Sequence, residues 1–392
     1  GIRHKRNTYR VNDAVGSLFL GTLSQARRFI TLGIGGYVYH LVAEHFSMAQ
    51  MDAHSVGTWV LAMVLYDFCY YWLHRLGHER TILWAAHVAH HQSEDYNLST
   101  ALRQTSTGFL LGWIFYLPMF FIGVPAEVVV SVGSLNLIYQ FWVHTEHVGK
   151  LGWYEWIFVT PSNHRVHHAQ NERYLDRNYG GLFIIWDRLF GTYQEELDED
   201  PPIYGIRGPL HSFNPVRALT HVYVDMFRDS WHARRWRDKL RVWVARTGWR
   251  PEDVEARFPR SKPDLENFRR FDPSASLWVR SYALFQLVAV VVLLAYLQAG
   301  LAEDYLAGAI LVLSMLLITV TTAGWLNGAP RPRCLGADIV RLLLLTVALL
   351  LWMDKLAFGA FALVAAAYLA INGAFLLGLA RAGIPQPAQV PA

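Results

Sequence analysis

The sequence predicts an all-α fold, a polytopic bundle of helices that cross a membrane. Only 17% of the 392 residues are charged, against ~25% in an average soluble domain. The mean hydropathy is positive, at +0.19. The apolar residues also fall in runs close to the length that a helix needs to cross a bilayer. These observations exclude an ordinary soluble domain.

Eight segments are candidates for membrane helices because each is a mostly apolar run. They are 29–46, 57–73, 107–124, 126–143, 281–298, 305–326, 339–353 and 357–379. The first two are polar at their ends, which also fits helices lying in the membrane surface. Fifteen Trp and 19 Tyr fit a protein with two membrane–water interfaces.

Composition divides the chain into five predicted parts. They are a basic segment with an amphipathic or membrane helix (1–56), a histidine-rich domain (57–215), a basic connector (216–276), a C-terminal transmembrane bundle (277–383) and a disordered tail (384–392). The connector carries Arg234, Arg235, Arg237, Lys239 and Arg241. Because positive charge favours the cytoplasmic side of a membrane, we expect the connector to lie there.

Other classes of protein are excluded by what the sequence lacks. The basic tract belongs to no recognisable nucleic-acid-binding module, so we expect no nucleic acid partner. No repeat of fixed period indicates a solenoid or a propeller. Cys69 and Cys334 form no motif, and we expect both to be free thiols.

Histidines are concentrated in one short stretch. Ten of the 17 lie between His74 and His168. Most of them fall in groups at spacings of three and four, which place side chains on one face of a helix. We therefore expect each group to present its imidazoles to a common point. The groups are His74 and His78; His87, His90 and His91; and His164, His167 and His168.

With His144, which ends an apolar run, the stretch offers nine imidazole ligands. A single zinc ion needs four ligands, so nine are enough for two metal ions. The groups lie just beyond the ends of the predicted helices 57–73 and 126–143. We therefore predict a di-metal site at the cytosolic edge of the membrane. The isolated histidines, which we expect to be ordinary polar residues, are His40, His45, His54, His211, His221 and His232.

The order of these motifs resembles the fatty acid hydroxylase/sterol desaturase superfamily. Further segments resemble its alkylglycerol monooxygenase branch, and the likeness is densest over 57–215. They are 96–104, 139–146, 160–162, 176–180 and 184–192.

The resemblance implies a di-iron catalytic domain at 57–215. The ligands that it implies are His74, His78, His87, His90, His91, His144, His164, His167 and His168. Glu79, next to the first motif, is the candidate catalytic carboxylate. His147 is expected to be a neighbour and not a ligand, and Asn163 stands at a position where the resemblance allows another histidine. Asp176, Asn178 and Asp187 are candidates to accept the second N–H of ligand imidazoles.

The resemblance also implies a reaction. A membrane-bound monooxygenase with two Fe ions and O2 as co-substrate would hydroxylate the carbon next to the ether oxygen of an alkylglycerol lipid. A fatty aldehyde and a glycerol derivative would then be released. In that branch tetrahydrobiopterin or a related tetrahydropterin supplies electrons, and the residues that bind it are not evident in the sequence.

Two alternatives stay open. One is a fatty acid, sterol or other membrane-lipid hydroxylase or desaturase, which would take electrons from a donor protein. The other is a non-catalytic lipid-binding or transport protein with structural metal. Transport would more naturally place polar residues near the bilayer midplane.

Overall fold

The structure is a computed structural model that describes residues 7–26, 33–261, 263–300, 305–351 and 360–381. These residues contain no β-strand and only three isolated bridges. The predicted all-α class is confirmed. The predicted tail, 384–392, lies outside the described residues.

The α-helices of the described residues are numbered in chain order. They are α1 (Val11–Ala26), α2 (Ile34–His45), α3 (Val56–Glu79), α4 (Thr81–Ala85), α5 (Val88–His91), α6 (Leu98–Ala101), α7 (Leu117–Ile122), α8 (Ala126–Trp142), α9 (Pro161–His168), α10 (Ile185–Leu189), α11 (Pro215–His232), α12 (Trp236–Val244), α13 (Glu252–Arg257), α14 (Leu277–Gln298), α15 (Tyr305–Leu326), α16 (Arg331–Leu351) and α17 (Ala360–Arg381). Short 3-10 helices cover Gly108–Leu110, Gly112–Tyr116 and Gly152–Trp156.

The chain divides into two units. Unit 1 comprises 1–8, 32–209 and 219–268, and it holds all the histidines of the predicted metal site. Unit 2 comprises 9–31, 210–218 and 269–392. Most of the predicted connector, 216–276, therefore belongs to the unit that carries the histidines. The five predicted parts of the chain stay a prediction.

Helix α3 is the central element of unit 1. It packs against α4, α7 and α8. Gly133 allows the close approach of α8, because a Cβ at this position would lie 2.9 Å from the ring of Tyr66. The core between these helices includes Ala62, Met119 and Val132. This packing fixes the position of α3, which carries the first two histidines.

Four helices among the described residues are long and apolar enough to cross a membrane: Val56–Glu79, Leu277–Gln298, Tyr305–Leu326 and Leu363–Arg381. The chain is an integral membrane protein, as predicted.

The other predicted spans differ from expectation. The prediction of a single helix over 107–124 was wrong, because this segment divides into two 3-10 helices and α7. Helices α2, with 12 residues, and α8, with 17, are shorter than the four spans. The described part of segment 339–353 belongs to α16, which ends at Leu351 and also carries Asp338.

Unit 2 encloses a polar cluster in an otherwise apolar bundle of α1 and α14–α17. Arg341 is fully buried, and it lies 3.3 Å from Asp338 Oδ1. The guanidinium also donates to Gln286 Oε1 at 3.1 Å and to the hydroxyl of Tyr282 at 2.9 Å. Trp325 Nε1 donates to Asp338 Oδ2 at 2.7 Å. Buried charges of this kind need such partners, because isolated charges are costly to remove from water.

Candidate metal centre

The last two turns of α3 place His74 and His78 side by side. Residues four apart lie on one face of a helix, and the two ring centroids are 5.4 Å apart. The prediction that the histidines begin beyond the end of this helix was wrong, since α3 continues to Glu79. Both rings are buried. The helix itself therefore aims the first pair of ligands.

The second histidine group lies around the short helix α5. His87 is the residue before the helix, and His90 and His91 are its last two residues. Consecutive side chains of a helix point about 100° apart, as the period of 3.6 residues requires. His90 and His91 therefore face different neighbours.

The remaining histidines come from α8 and α9. His144 follows the end of α8. Helix α9 begins with a capping box, in which the side chains of Thr160 and Asn163 satisfy each other's backbone N–H groups. Asn163 thus has a structural role at the helix start. Pro161 at the first helical position further favours this start.

All nine predicted ligands come together, in two clusters. In each cluster the ligand atoms lie within 4.8 Å of one another. The five-histidine cluster consists of His74, His78, His87, His91 and His167, and the four-histidine cluster consists of His90, His144, His164 and His168. The expectation that each sequence group serves a common point was wrong for the second and third groups, because both are divided between the clusters.

The spacing of the nitrogen atoms fits metal binding. His78 Nε2 and His87 Nε2 lie 3.2 and 3.0 Å from His91 Nε2. His144 Nε2 lies 3.4 Å from His90 Nε2 and 3.1 Å from His164 Nε2. Two ligands at a metal–nitrogen distance of about 2.1 Å are themselves about 3 Å apart.

Several buried nitrogen atoms have no hydrogen-bond partner within the described part of the chain. Among the cluster histidines these are Nε2 of His74, His167 and His168, and Nδ1 of His164. A buried polar atom without a partner is costly, and a bound metal ion removes that cost. The residues present therefore fit two metal ions.

Backbone carbonyls orient four of the imidazoles. Nδ1 of His74 donates to the carbonyl of Tyr179 at 2.7 Å, and Nδ1 of His90 donates to that of Arg103 at 3.0 Å. His144 and His167 have the same arrangement, with Gln140 at 2.7 Å and Arg177 at 2.9 Å. A hydrogen bond from Nδ1–H leaves the lone pair on Nε2, which is the atom that faces the cluster.

Electrostatics keep the cluster imidazoles neutral. Burial lowers the pKa of His90 to about 4. Burial first, and the neighbouring histidines second, hold the pKa of His91 and of His168 well below the ordinary value. A neutral imidazole is the form that binds a metal ion.

Glu79 lies outside both clusters. Its Oε1 accepts a hydrogen bond from Arg75 Nε at 2.9 Å, one turn earlier in α3. The carboxylate is 23% exposed. Its predicted catalytic role stays a prediction.

The predicted partners of the ligand imidazoles behave differently from one another. Asp176 Oδ1 lies 3.8 Å from His78 Nδ1. The prediction was wrong for Asn178, whose amide donates to the carbonyls of Asn163 and Gln194. It was also wrong for Asp187, which accepts hydrogen bonds from backbone N–H groups and from a threonine hydroxyl. Burial raises the pKa of Asp187 to about 6.

His147 also lies outside the two clusters. Its Nε2 is 3.4 Å from the hydroxyl oxygen of Thr8. Among the isolated histidines, His221 lines the cavity described in the next paragraph. Its Nδ1 is 3.5 Å from the side-chain nitrogen of Gln92.

A cavity of about 580 Å³ opens onto the histidines. His78, His91, His167 and His168 form part of its wall. Other parts of the wall come from α11, from residues 247–261 and from Pro263, and they include Trp249 and the buried ion pair of Asp229 with Arg250, at 2.8 Å. These wall residues were missed by the sequence analysis. Nothing in their local sequence marks them, because the tract has the composition of a solvated basic helix.

The segment after α12 also holds the end of α3. The hydroxyl of Thr247 donates to the carbonyl of His78, and the Thr247 N–H donates to the carbonyl of Glu79 at 3.2 Å. The last carbonyls of a helix lack partners inside the helix, and these bonds provide them. The connector therefore completes the histidine-bearing helix.

Comparison with known proteins agrees with this geometry. The Fatty acid hydroxylase family model matches residues 59–192. Alkylglycerol monooxygenase from Xenopus tropicalis is 34% identical over 343 residues, which cover 87% of this chain and 76% of the relative. The chain belongs to the alkylglycerol monooxygenase family.

Other members of the family support this assignment. The Homo sapiens alkylglycerol monooxygenase is 33% identical over 341 residues, covering 86% of this chain and 75% of the relative. The Danio rerio alkylglycerol monooxygenase is 37% identical over 278 residues, covering 71% of this chain and 62% of the relative. No solved structure matches the chain. The match to the family model covers all nine histidines of the two clusters.

Proposed function

We propose that this protein is a membrane-bound, O2-dependent monooxygenase that hydroxylates the carbon next to the ether oxygen of alkylglycerol lipids. The hydroxylated ether is a hemiacetal, which collapses to a fatty aldehyde and a glycerol derivative. The observation that carries this proposal is the pair of buried histidine clusters in a chain of the alkylglycerol monooxygenase family. The catalytic domain is the predicted segment 57–215.

We propose iron as the metal. Imidazole ligands suit several first-row metals, including zinc, copper and iron. Zinc has no redox chemistry, so a centre that uses O2 needs a redox-active ion. When bound, two iron ions would supply the activation of O2. The nine cluster histidines are the proposed ligands.

The chain's own residues orient the ligands and exclude water. The carbonyls of Tyr179, Arg103, Gln140 and Arg177 fix the Nδ1 protons of four histidines on the side away from the cluster. Eight of the nine rings are buried. Burial of the rings limits the contact of a strongly oxidising centre with bulk water, and so limits side reactions.

Glu79 remains the proposed catalytic carboxylate. The support is its place at the end of α3, one residue after the proposed ligand His78. Since it is paired with Arg75, the proposal gives it a role in charge balance or proton transfer and not in metal binding.

We further propose that a tetrahydropterin supplies the electrons and reaches the centre through the cavity of about 580 Å³. The support is that this cavity touches four cluster histidines and has both aromatic and charged walls. The basic α12 lies in the same unit, so the positive-inside tendency supports the cytoplasmic side for the centre. A donor protein is the alternative source of electrons.

The test is turnover of a 1-O-alkylglycerol by iron-loaded membranes, with fatty aldehyde measured in the presence and absence of tetrahydrobiopterin. We expect aldehyde only with the pterin, and none from His90→Ala. The exposed His54 provides a matched control, since His54→Ala should keep wild-type turnover. Aldehyde formed with a donor protein and without pterin would show that the donor protein, and not the pterin, supplies the electrons. No aldehyde from iron-loaded protein under either condition would contradict the proposed substrate, and unchanged activity in His90→Ala would contradict the metal centre.

A further inference from the structure

An aspartate lies inside the membrane-crossing helix that carries the first ligands. Asp67 is seven residues before His74 and eleven before His78, spacings that place the three on one face of α3. Its side chain is fully buried. An ionisable residue within a membrane span is costly and usually functional. Asp67 belongs to neither histidine cluster.

Both oxygens of Asp67 are occupied by hydrogen-bond donors. Oδ1 accepts from the N–H of Leu182 and from Asn136 Nδ2, each at 2.7 Å. Oδ2 accepts from the N–H of Phe183 at 2.9 Å and from Trp186 Nε1 at 3.0 Å. Three of these four donors belong to residues 179–186, which we call the clamp loop. A carboxylate whose two oxygens each accept two hydrogen bonds has its acceptor sites occupied and is not available as a metal ligand.

A second carboxylate holds the other end of the clamp loop. Asp187 accepts hydrogen bonds from the N–H groups of Tyr179 and Gly180, both at 2.8 Å, and from the hydroxyl of Thr192 at 2.7 Å. The loop also runs very close to α3. A Cβ at Gly181 would lie 2.9 Å from Asp67 Oδ1, so only glycine fits there without a shift.

The clamp loop meets the metal centre at Tyr179, whose ring centroid lies 5.9, 5.4 and 5.9 Å from those of His74, His78 and His167. The carbonyl of Tyr179 accepts the Nδ1–H of His74 at 2.7 Å. This bond sets both the tautomer and the angle of the ring, and it leaves the unpartnered His74 Nε2 facing the five-histidine cluster. The clamp loop is not bonded in this way to any histidine of the four-histidine cluster among the described contacts: His90 and His144 use carbonyls elsewhere.

We propose that Asp67 is a positioning residue that controls the metal affinity of the five-histidine cluster and not that of the four-histidine cluster. It does so by fixing the clamp loop, whose Tyr179 carbonyl orients His74. The inference rests on the proposed function in one respect, that each cluster binds one metal ion.

The test is a metal titration of the purified full chain in detergent, after removal of bound metal by a chelator. The probe is Fe²⁺ under anaerobic conditions, and the readouts are the number of ions bound per chain and the affinity of each. In Asp67→Asn an amide NH2 replaces one acceptor, so at least one pair of donors loses its partner. We expect one ion to bind as in the wild type and the other to bind about 10–100-fold more weakly.

Asp338→Asn is the matched control. Asp338 is also a fully buried aspartate of a helix and also accepts a tryptophan Nε1–H, but it belongs to unit 2. The Asp338→Asn substitution should lower the stability of the protein and leave both metal affinities unchanged. If Asp67→Asn does not fold, Trp186→Phe is the variant to test. It removes one donor to Asp67 and should weaken the binding of the same ion by a smaller factor.

The possible results separate the two proposals. The inference would be overturned if a folded Asp67→Asn variant bound two ions with wild-type affinities. If Asp67→Asn does not fold, the same result in Trp186→Phe would overturn it. Equal weakening of both ions would overturn it as well, because the effect would then be a general loss of structure. Wild-type protein that binds no iron would instead contradict the proposed function.

Discussion

The imidazole of His91 stacks on that of His168, with ring centroids 4.3 Å apart and an angle of 21° between the planes. His91 belongs to the five-histidine cluster and His168 to the four-histidine cluster. The two clusters therefore share a wall made of their own ligands. Stacked rings at this distance cannot both be charged, since two imidazolium ions would repel strongly in a buried site.

Loss of one ligand should empty one cluster and leave the other occupied. His144→Ala removes a ligand of the four-histidine cluster, so we expect about one metal ion per chain and turnover reduced by about 100-fold or more, since even outer-shell changes cost about 10–100-fold. Metal analysis and aldehyde formation check this. His147→Ala, three residues later and outside both clusters, should bind two ions. Two ions in His144→Ala would show that His144 is not a ligand.

Glu79→Gln should separate a catalytic role from metal binding. Because the carboxylate lies outside both clusters and pairs with Arg75, we expect the variant to keep both metal ions. The lost ion pair should cost only about 0.3–0.5 kcal/mol of stability, as for other exposed pairs one helical turn apart. Turnover should fall at least several-fold with unchanged metal content. A variant as active as the wild type would remove Glu79 from the catalytic residues.

The metal-free protein should become less stable as the solution is made acidic. Burial lowers the pKa of His90 to about 4 in the folded state, whereas the unfolded chain has the ordinary value of about 6.5. Below pH 6.5 the unfolded chain therefore takes up a proton that the folded chain excludes. Each such histidine lowers the free energy of unfolding by up to about 1.4 kcal/mol per pH unit between 6.5 and 4.

Urea unfolding of the metal-free protein in detergent at pH 7.5 and pH 5.5 measures this effect. The other cluster histidines outside α3 act in the same direction, because their pKa values are also lowered by burial. His90→Gln should reduce the pH dependence, and the exposed His54→Ala should not. Equal stability at the two pH values would contradict the burial of neutral histidines.

The polar cluster of unit 2 should be sensitive to the loss of one partner. Arg341→Met leaves the buried Asp338 without its ion pair, and we expect a loss on the order of 3–5 kcal/mol. The double variant Arg341→Met/Asp338→Asn removes both charges and should recover part of that loss. Thermal unfolding in detergent compares the three proteins. A single variant as stable as the wild type would mean that the pair contributes nothing.

Helical periodicity was sufficient to predict that His74 and His78 come together. The spacing of His74 and His78 required one face of one helix, and the structure has that helix. It was not sufficient to predict the division into two clusters. His90 and His91 point about 100° apart because they are adjacent in α5, but the other histidines that each one meets are fixed by packing that no local pattern records.

The least predictable part of the site was the set of cavity residues that lie far from the histidines in sequence. Trp249 and Arg250 reach the cavity because α11 and α12 pack against α4 within unit 1, and a basic tract carries no signal for such a contact. Asp67 had a usable signal. An aspartate in an apolar run, seven residues before the first ligand, lies on the ligand face by spacing alone.

The bonds from Thr247 to the end of α3 join residues about 170 positions apart in sequence. A nascent chain that has reached His168 already contains all nine cluster histidines, but the carbonyls that end their first helix still lack partners. The ribosome must add roughly 80 more residues before Thr247 is made, which at about 5–20 residues per second takes several seconds. The finished centre is therefore a product of late folding, and metal insertion before that point would meet an incomplete helix end and an absent cavity wall.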